Sequence, residues 1–442
     1  MHDMNSDTTG TGPQHSGPGG GDAGRYPGGG DAGRYPGGGD AGSSPGGGDA
    51  GRYPGGGDAG RESPRSRRWA STMSGYSGPV RLAHADSAAR IDRPGGTTRR
   101  TGDEPLHRLA REEQEDVLLA PGATRASGAG SRARAEEPDE WRTCFERDRD
   151  RILHATSFRR LAGKTQVFVF PQDHQRTRLT HALEVAQVAT AMARACRLNV
   201  ALTEAIALGH DCGHGPGGHA SEDALDPYLP GGFDHAPWGA HVSLASLNLC
   251  TQTIDGIANH SWSRPAPGTP EGEVVSWADR VAYVCHDWED AVLTGIVSPH
   301  QLPTTVRDLC GEQRGSQLAA FIRGVVLATI RSGQVGMEEE VAEALSAFRS
   351  CNYERIYLRD ASLRQGEAVV RVLRALVEHF SDRPHLIAET GGGAYRDILA
   401  GSELAIEAAV TYVAGMTDRF AFRQAVALLG WDPEKLPAGV GS

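Results

Sequence analysis

The chain has 442 residues with 45 Lys and Arg against 56 Asp and Glu, a formal net charge of −11 that argues against bulk electrostatic binding to duplex nucleic acid. A spanning helix needs about 20 nearly continuous apolar residues and none occur, and the start MHDMNSDTTG lacks a basic stretch followed by an apolar one, so a soluble, cytoplasmic protein is expected. Seven scattered cysteines with no Cys-x-x-Cys pair speak against a disulfide framework or a thiolate zinc site.

The first 60 residues hold 23 of the 58 glycines. There a nine-residue unit, PGGGDAGRY and close variants, starts at Pro18, Pro27, Pro36, Pro45 and Pro54. A unit with three consecutive glycines and at most one aromatic residue buries too little apolar surface to offset its ordering entropy, so a disordered extension is predicted. Residues 61–140 stay rich in Arg, Ser and Gly, with one charged stretch, HRLAREEQEDVLLA, that reads as an isolated helix. The sequence therefore predicts a disordered Gly-, Pro- and Arg-rich extension over 1–140 with no catalytic content.

The character changes near Trp141. FERDRDRILHATSFRRLA, LTHALEVAQVATAMARACRL and ALTEAIALGHD follow one another, each with apolar residues at i, i+3, i+4 and i+7. The same period runs through HVSLASLNLCTQTIDGIA, EVVSWADRVAYVCHDWEDAVLTGIV, QLAAFIRGVVLATIRS, MEEEVAEALSAFRSCNYERIYL, EAVVRVLRALVEHFS and the final LAIEAAVTYVAGMTDRFAFRQAVALLG. Only TQVFVF, at 165–170, reads as a strand. The expected fold is all-α over 141–442, as one large domain or two fused helical lobes.

One segment is dense in chemistry. The helix ALTEAIALG runs into His210-Asp211, followed by a glycine-rich turn with His214, His219 and Glu222. Imidazole and carboxylate together suit a borderline or hard divalent metal. Neighbours in mid-helix point about 100° apart, but at a helix end both can face one ion. His181 lies near the start of the preceding amphipathic helix. Further on, Asp279, Tyr283 and Asp287 fall at i, i+4 and i+8, so one helix face carries two acids and a phenol, with Arg280 beside them. Cys212 sits inside the metal-binding loop and reads as either a nucleophile or a packing residue. Tyr353, Ile356 and Tyr357 read as helix-packing residues.

The order His181, His210-Asp211, Asp279 resembles the HD superfamily of metal-dependent phosphohydrolases. FERDRDRILHATSFRRLAGKTQVF, TRLTHALEVAQVA, LGHDCGHGPGGHASE and WADRVAYVCHDWEDA resemble, more closely, the deoxyguanosine-triphosphate triphosphohydrolase family. The resemblance is specific over roughly 141–300 and fainter through NYERIYLRDAS. It implies an HD core at about 176–300 with a C-terminal helical part at about 301–442. It also implies hydrolysis of a deoxynucleoside triphosphate to deoxynucleoside and inorganic triphosphate. His181, His210, Asp211 and Asp279 would hold one divalent ion, with Mn, Mg, Fe, Co and Ni all compatible. His219 and Glu222 would be the proton-transfer pair, with His214 in the same catalytic group and His235 near the phosphates. Arg178 and Arg280 would meet triphosphate or base, Tyr283 and Asp287 the sugar, and Gln166 the 3′-hydroxyl. The family also implies a homo-oligomer and an effector that is a nucleotide or single-stranded DNA. Where relatives commonly carry Pro-Pro-Phe between the two loop histidines, this chain has Gly215-Pro216-Gly217-Gly218, which predicts a more flexible loop.

The charges fit such a substrate. A nucleoside triphosphate carries about four negative charges and calls for guanidinium groups beside a metal; Arg159, Arg160, Lys164, Arg176, Arg178 and Arg280 supply candidates within a net-acidic domain. Two alternatives stand beside this reading. One is another HD phosphohydrolase, a nucleotide monophosphatase or cyclic-nucleotide phosphodiesterase, against which Tyr283 and Asp287 weigh. The other is a non-catalytic nucleotide-binding regulator, against which an intact His219 and Glu222 weigh. No GxxxxGK[ST] motif is present, so a P-loop enzyme is excluded.

Overall fold

The computed structural model describes residues 105–171, 175–391 and 397–437, with scattered positions between 65 and 84. The glycine-rich repeats lie outside the described residues. What is described is helical, without a strand; three isolated bridges are the only β pairing among these residues. No described helix is long and apolar enough to cross a membrane.

The first helix, α1 (Arg108–Leu118), buries none of its residues and is held by polar contacts instead. Arg108 Nε donates to the Asp139 carbonyl at 3.0 Å, and Arg111 pairs with Glu146. The segment behind it crosses the domain, with Ala123 and Ala126 buried in the core. The Glu271 carboxylate accepts from Thr124 N at 3.0 Å, Thr124 Oγ1 at 2.7 Å and Asn199 N at 2.9 Å. Arg132 makes a fully buried ion pair with Asp148 at 2.6 Å and donates to the carbonyls of Ala129, Cys144 and Asn248. Such a pair holds its place only with its remaining hydrogen bonds met, as here. The expected boundary at 140/141 therefore falls inside a packed unit, and HRLAREEQEDVLLA is not isolated.

Local sequence explains where the next helices start. Thr143 and Glu146 form a capping box ahead of α2 (Cys144–His154), which leads through the short α3 (Thr156–Arg160) towards α4 (Arg178–Ala195). Thr177 caps α4, Asn199 caps α5 (Val200–Gly209), and Thr269 followed by Pro270 opens the long α9 (Pro270–Leu293). Between α5 and α9 lie α6 (Ala220–Leu225), α7 (His235–Trp238) and α8 (Thr251–Ala258). After α9 come α10 (Thr304–Cys310), α11 (Arg314–Ser332) and α12 (Glu339–Asn352), which runs into a single π-helical turn, Tyr353–Tyr357. Then follow α13 (Asp360–Asp382), α14 (Pro384–Gly391), α15 (Glu403–Ala414) and α16 (Asp418–Leu429).

Two hydrophobic cores organise these helices. The larger packs α4, α5 and α9 together, with α2, α8, α11 and α12 around them. The smaller packs α13, α15 and α16, and it takes Ala224, Leu225 and Phe233 from the α6 region. One piece of the HD segment thus belongs to the C-terminal core. TQVFVF joins the two: Phe168 is buried in the larger core and Val169 in the smaller. Only Thr165 finds a bridge partner, Thr177, and residues 166–170 bend instead, with Phe170 at φ +55°, so the predicted strand does not form.

Candidate active site

A cavity of about 1340 Å³ opens along the seam between the two cores. At its floor the end of α5 delivers His210 and Asp211, α4 delivers His181 from its first turns, and α9 delivers Asp279. Asp279 Oδ1 lies 3.0 Å from His181 Nε2 and 3.6 Å from His210 Nε2; Asp211 Oδ2 lies 3.5 Å from His210 Nε2 and 3.8 Å from His181 Nε2. Ligand bonds of about 2.0–2.2 Å place neighbouring donors around one ion about 3 Å apart, so the four side chains fit one divalent metal. A buried histidine pair and carboxylate are what such an ion requires. The His210 tautomer fits as well, because its Nδ1 bonds the Ala207 carbonyl at 2.6 Å and leaves Nε2, which has no hydrogen-bond partner among the described residues, facing the carboxylates. Burial opposes ionisation of both carboxyl groups, yet the histidines hold Asp279 well below the usual range, and Arg178, His210 and His214 do the same for Asp211.

Beside this cluster runs a chain of imidazoles. His219 Nδ1 lies 3.1 Å from Glu222 Oε2, one turn on, and its side chain is 73% exposed. The other oxygen of Glu222 accepts from His235 twice, from its backbone N at 3.1 Å and its Nδ1 at 2.6 Å. His235 stacks on His214 at 3.8 Å between ring centroids, and its Nε2 lies 3.2 Å from His260 Nε2. His260 commits its Nδ1–H to the Ile257 carbonyl at 2.8 Å. The Glu222 carboxyl is held far below the usual range by His219 and His235 despite burial, whereas burial together with His210 and His235 pushes His260 down to about 3.

Guanidinium groups and aromatic rings line the rest of the cavity. Arg178 Nη1 bonds Asp211 Oδ2 at 2.8 Å, but its Nε and Nη2 are buried without an acceptor among the described residues. Arg280 Nη1 donates to Tyr283 Oη at 3.2 Å, while its Nε has no partner among the described residues. Arg349 reaches Tyr283 Oη from α12 at 3.0 Å, and Tyr357 donates to Asp287 Oδ2 at 2.5 Å. Burial pushes the Asp287 carboxyl up to about 7 against the Tyr357 hydrogen bond, and pushes the Tyr283 hydroxyl up to about 12. Gln166 also lines the cavity, with a buried Oε1 left open.

Comparison with known proteins agrees with this geometry. The HD domain model matches residues 178–284, which hold all four metal-site residues and the imidazole chain, and the phosphohydrolase-associated domain model matches 335–426. A deoxyguanosinetriphosphate triphosphohydrolase-like protein of Caldanaerobacter subterraneus subsp. tengcongensis is 41% identical over 317 residues, covering 70% of this chain and 92% of its own. The chain belongs to the deoxyguanosinetriphosphate triphosphohydrolase-like family. Relatives of the same description from Clostridium perfringens strain SM101 and Desulfatibacillum aliphaticivorans are 38% and 35% identical, each over 70% of this chain and over 93% and 94% of theirs. The chain is thus an HD phosphohydrolase, with a His/Asp cluster suited to a divalent metal.

For this family member the structure sorts the candidate cations. Arg178 and Arg280 line the cavity. Arg176 is enclosed by Glu184, Glu289 and Asp290, and Arg159 and Arg160 donate to the surface carbonyls of His154 and Gly415. Lys164 is buried and bonds the carbonyls of His214 and Ala414, so it braces the loop from beneath. That loop departs from the flexibility its glycines predict. Residues 213–218 are all buried, Gly217 N donates to Asp418 Oδ1 at 2.8 Å, and Gly215 N donates to Ser221 Oγ at 2.9 Å. Gly217, at φ +75°, has no room for more: a Cβ there would lie 2.4 Å from Val369 Cγ1. Cys212 is a packing residue, its thiol pushed up to about 12 by burial.

Three residues escape the sequence reading. His260, in IANHSW, looks like any lone helix-end histidine until folding sets it against His210 and His235. Arg349 carries no motif, and it reaches the site from the C-terminal half. Tyr357 was expected only to pack, yet its hydroxyl meets Asp287.

Proposed function

We propose that the protein hydrolyses a deoxynucleoside triphosphate to a deoxynucleoside and inorganic triphosphate. The observation that carries the reading is one cavity with unsatisfied, buried guanidinium edges on Arg178 and Arg280 beside the His181, His210, Asp211 and Asp279 cluster. Buried donors without acceptors cost free energy until a ligand meets them, and phosphate oxygens are the natural match. The four metal-site residues would hold a divalent ion, which when bound supplies polarisation of the phosphate and neutralises its charge.

The chain's own groups then divide the remaining work. Arg178 and Arg280 orient the triphosphate. Water attacks the α-phosphorus, the bond to O5′ breaks, water gives up a proton and O5′ gains one. His219, with Glu222 fixing its Nδ1, presents Nε2 to the cavity for that transfer; His214 and His235 shape the pocket beside it. Tyr283 packs against the sugar, while Asp287 and Gln166 accept from its 3′-hydroxyl. The test is product analysis with each of the four dNTPs, with GTP and with an Asp211→Ala control, in Mn²⁺. Metal-dependent release of triphosphate supports the reading; release of orthophosphate, or of nothing from any dNTP, sinks it.

A further inference from the structure

Trp262 is half exposed, at 50%, in a loop on the cavity wall, an unusual place for a large apolar ring. Its face is not free. The Arg280 guanidinium carbon lies 3.7 Å from the ring centroid, close enough for a strong cation–π contact. Trp277, from α9, meets Trp262 edge-on at 4.8 Å and so fixes the tilt of the ring. Arg280 is otherwise weakly held: it has one hydrogen bond, to the Tyr283 hydroxyl, and a 5.8 Å approach to that ring. No carboxylate pairs with it among the described ion pairs, in contrast to Arg176 and Arg178. A carboxylate partner would compete with phosphate for the same donors. An aromatic face holds the guanidinium plane while leaving its N–H edges open.

We infer that Trp262 is a positioning residue, stacked to aim Arg280 at the triphosphate moiety of the substrate. The inference rests on the proposed function for the ligand, and on the Trp262–Trp277–Arg280 geometry for the role. A stack of this kind at a partly exposed site is worth roughly a two- to tenfold change in binding. Trp262 belongs to neither hydrophobic core, so its loss should leave the fold intact.

The test is titration of the full-length protein with inorganic triphosphate, followed by calorimetry, comparing wild type with Trp262→Ala, Trp262→Phe and Arg280→Ala. Trp262→Ala should weaken triphosphate binding about two- to tenfold, Trp262→Phe should recover most of the loss, and Arg280→Ala should lose at least as much as Trp262→Ala. In turnover the same Trp262→Ala change should appear in KM and spare kcat. Wild-type affinity in Trp262→Ala, beside a loss in Arg280→Ala, overturns the positioning role and leaves the phosphate site standing. A Trp262→Phe variant as weak as Trp262→Ala also overturns it, because it shows that indole bulk rather than an aromatic face matters. Failure of the wild type to bind triphosphate removes the proposed substrate class and this inference with it.

Discussion

The two sides of the cavity are built differently. The metal-site side stands on the larger core, where His181, His210, Asp211 and Asp279 come from the ends and faces of three mutually packed helices. The side that carries His219 and Glu222 stands on the smaller core: α6, which carries Glu222, packs against α13 and α15 of the C-terminal half. On the first side every charge has a close opposite, while on the second a single carboxylate serves two histidines. The first side is thus suited to a divalent ion, and the second leaves His219 exposed at the cavity edge.

Substitutions can break this division, and the largest effect belongs to the first side. Asp211→Ala should abolish stoichiometric divalent metal by elemental analysis and cut turnover by about a hundredfold or more. Next comes the second side: Glu222→Gln should lower kcat by about 10²–10⁴-fold while metal content stays at the wild-type level. Loss of metal in Glu222→Gln would show that the two sides are one unit. A third comparison sets one arginine against another. Arg178→Ala should raise KM about 10- to 100-fold, as expected for a lost charge-assisted hydrogen bond, whereas Arg176→Ala should lower the melting temperature and leave KM unchanged. Equal changes in KM would erase the distinction between a ligand-facing and a carboxylate-enclosed guanidinium.

Stability should also depend on pH. Burial raises the Asp287 carboxyl from its ordinary 3.8 to about 7 in the folded protein. The unfolded chain therefore ionises first, and the stability this group contributes is complete below about pH 4 and falls as pH rises towards 7, by about 1.4 kcal/mol per unit of pKa difference at most. Asp287→Asn should then gain on the wild type across that window, in thermal melts, and keep a constant margin above it. A margin that shrinks with rising pH would reverse the sign and with it the account of burial at this position.

Much of this was legible in the sequence because it depends on local pattern. The helical period marked the helices, and the clustering of His210, Asp211, His214, His219 and Glu222 within thirteen residues marked the site. What was illegible depends on distant partners. Residues 105–140 pack through buried polar anchors, Thr124 to Glu271 and Arg132 to Asp148, and leave no apolar stripe to read. TQVFVF has strand composition but no neighbouring strand. His260 and Arg349 gain meaning only from residues far away in the chain, and the glycines of 213–218 suggest mobility only as long as Lys164 and Asp418 are out of view.

Asp418 has a consequence for the order of events at the ribosome. It opens α16, near the end of the chain, and its two oxygens take Gly217 N–H and the Thr165 hydroxyl, at 2.8 and 2.5 Å. The loop between His214 and His219 therefore cannot reach its final shape before α16 has been synthesised. A nascent chain that has already folded α4, α5 and α9 can assemble the metal ligands yet still lack a finished loop. The loop is finished only when α16 emerges and docks.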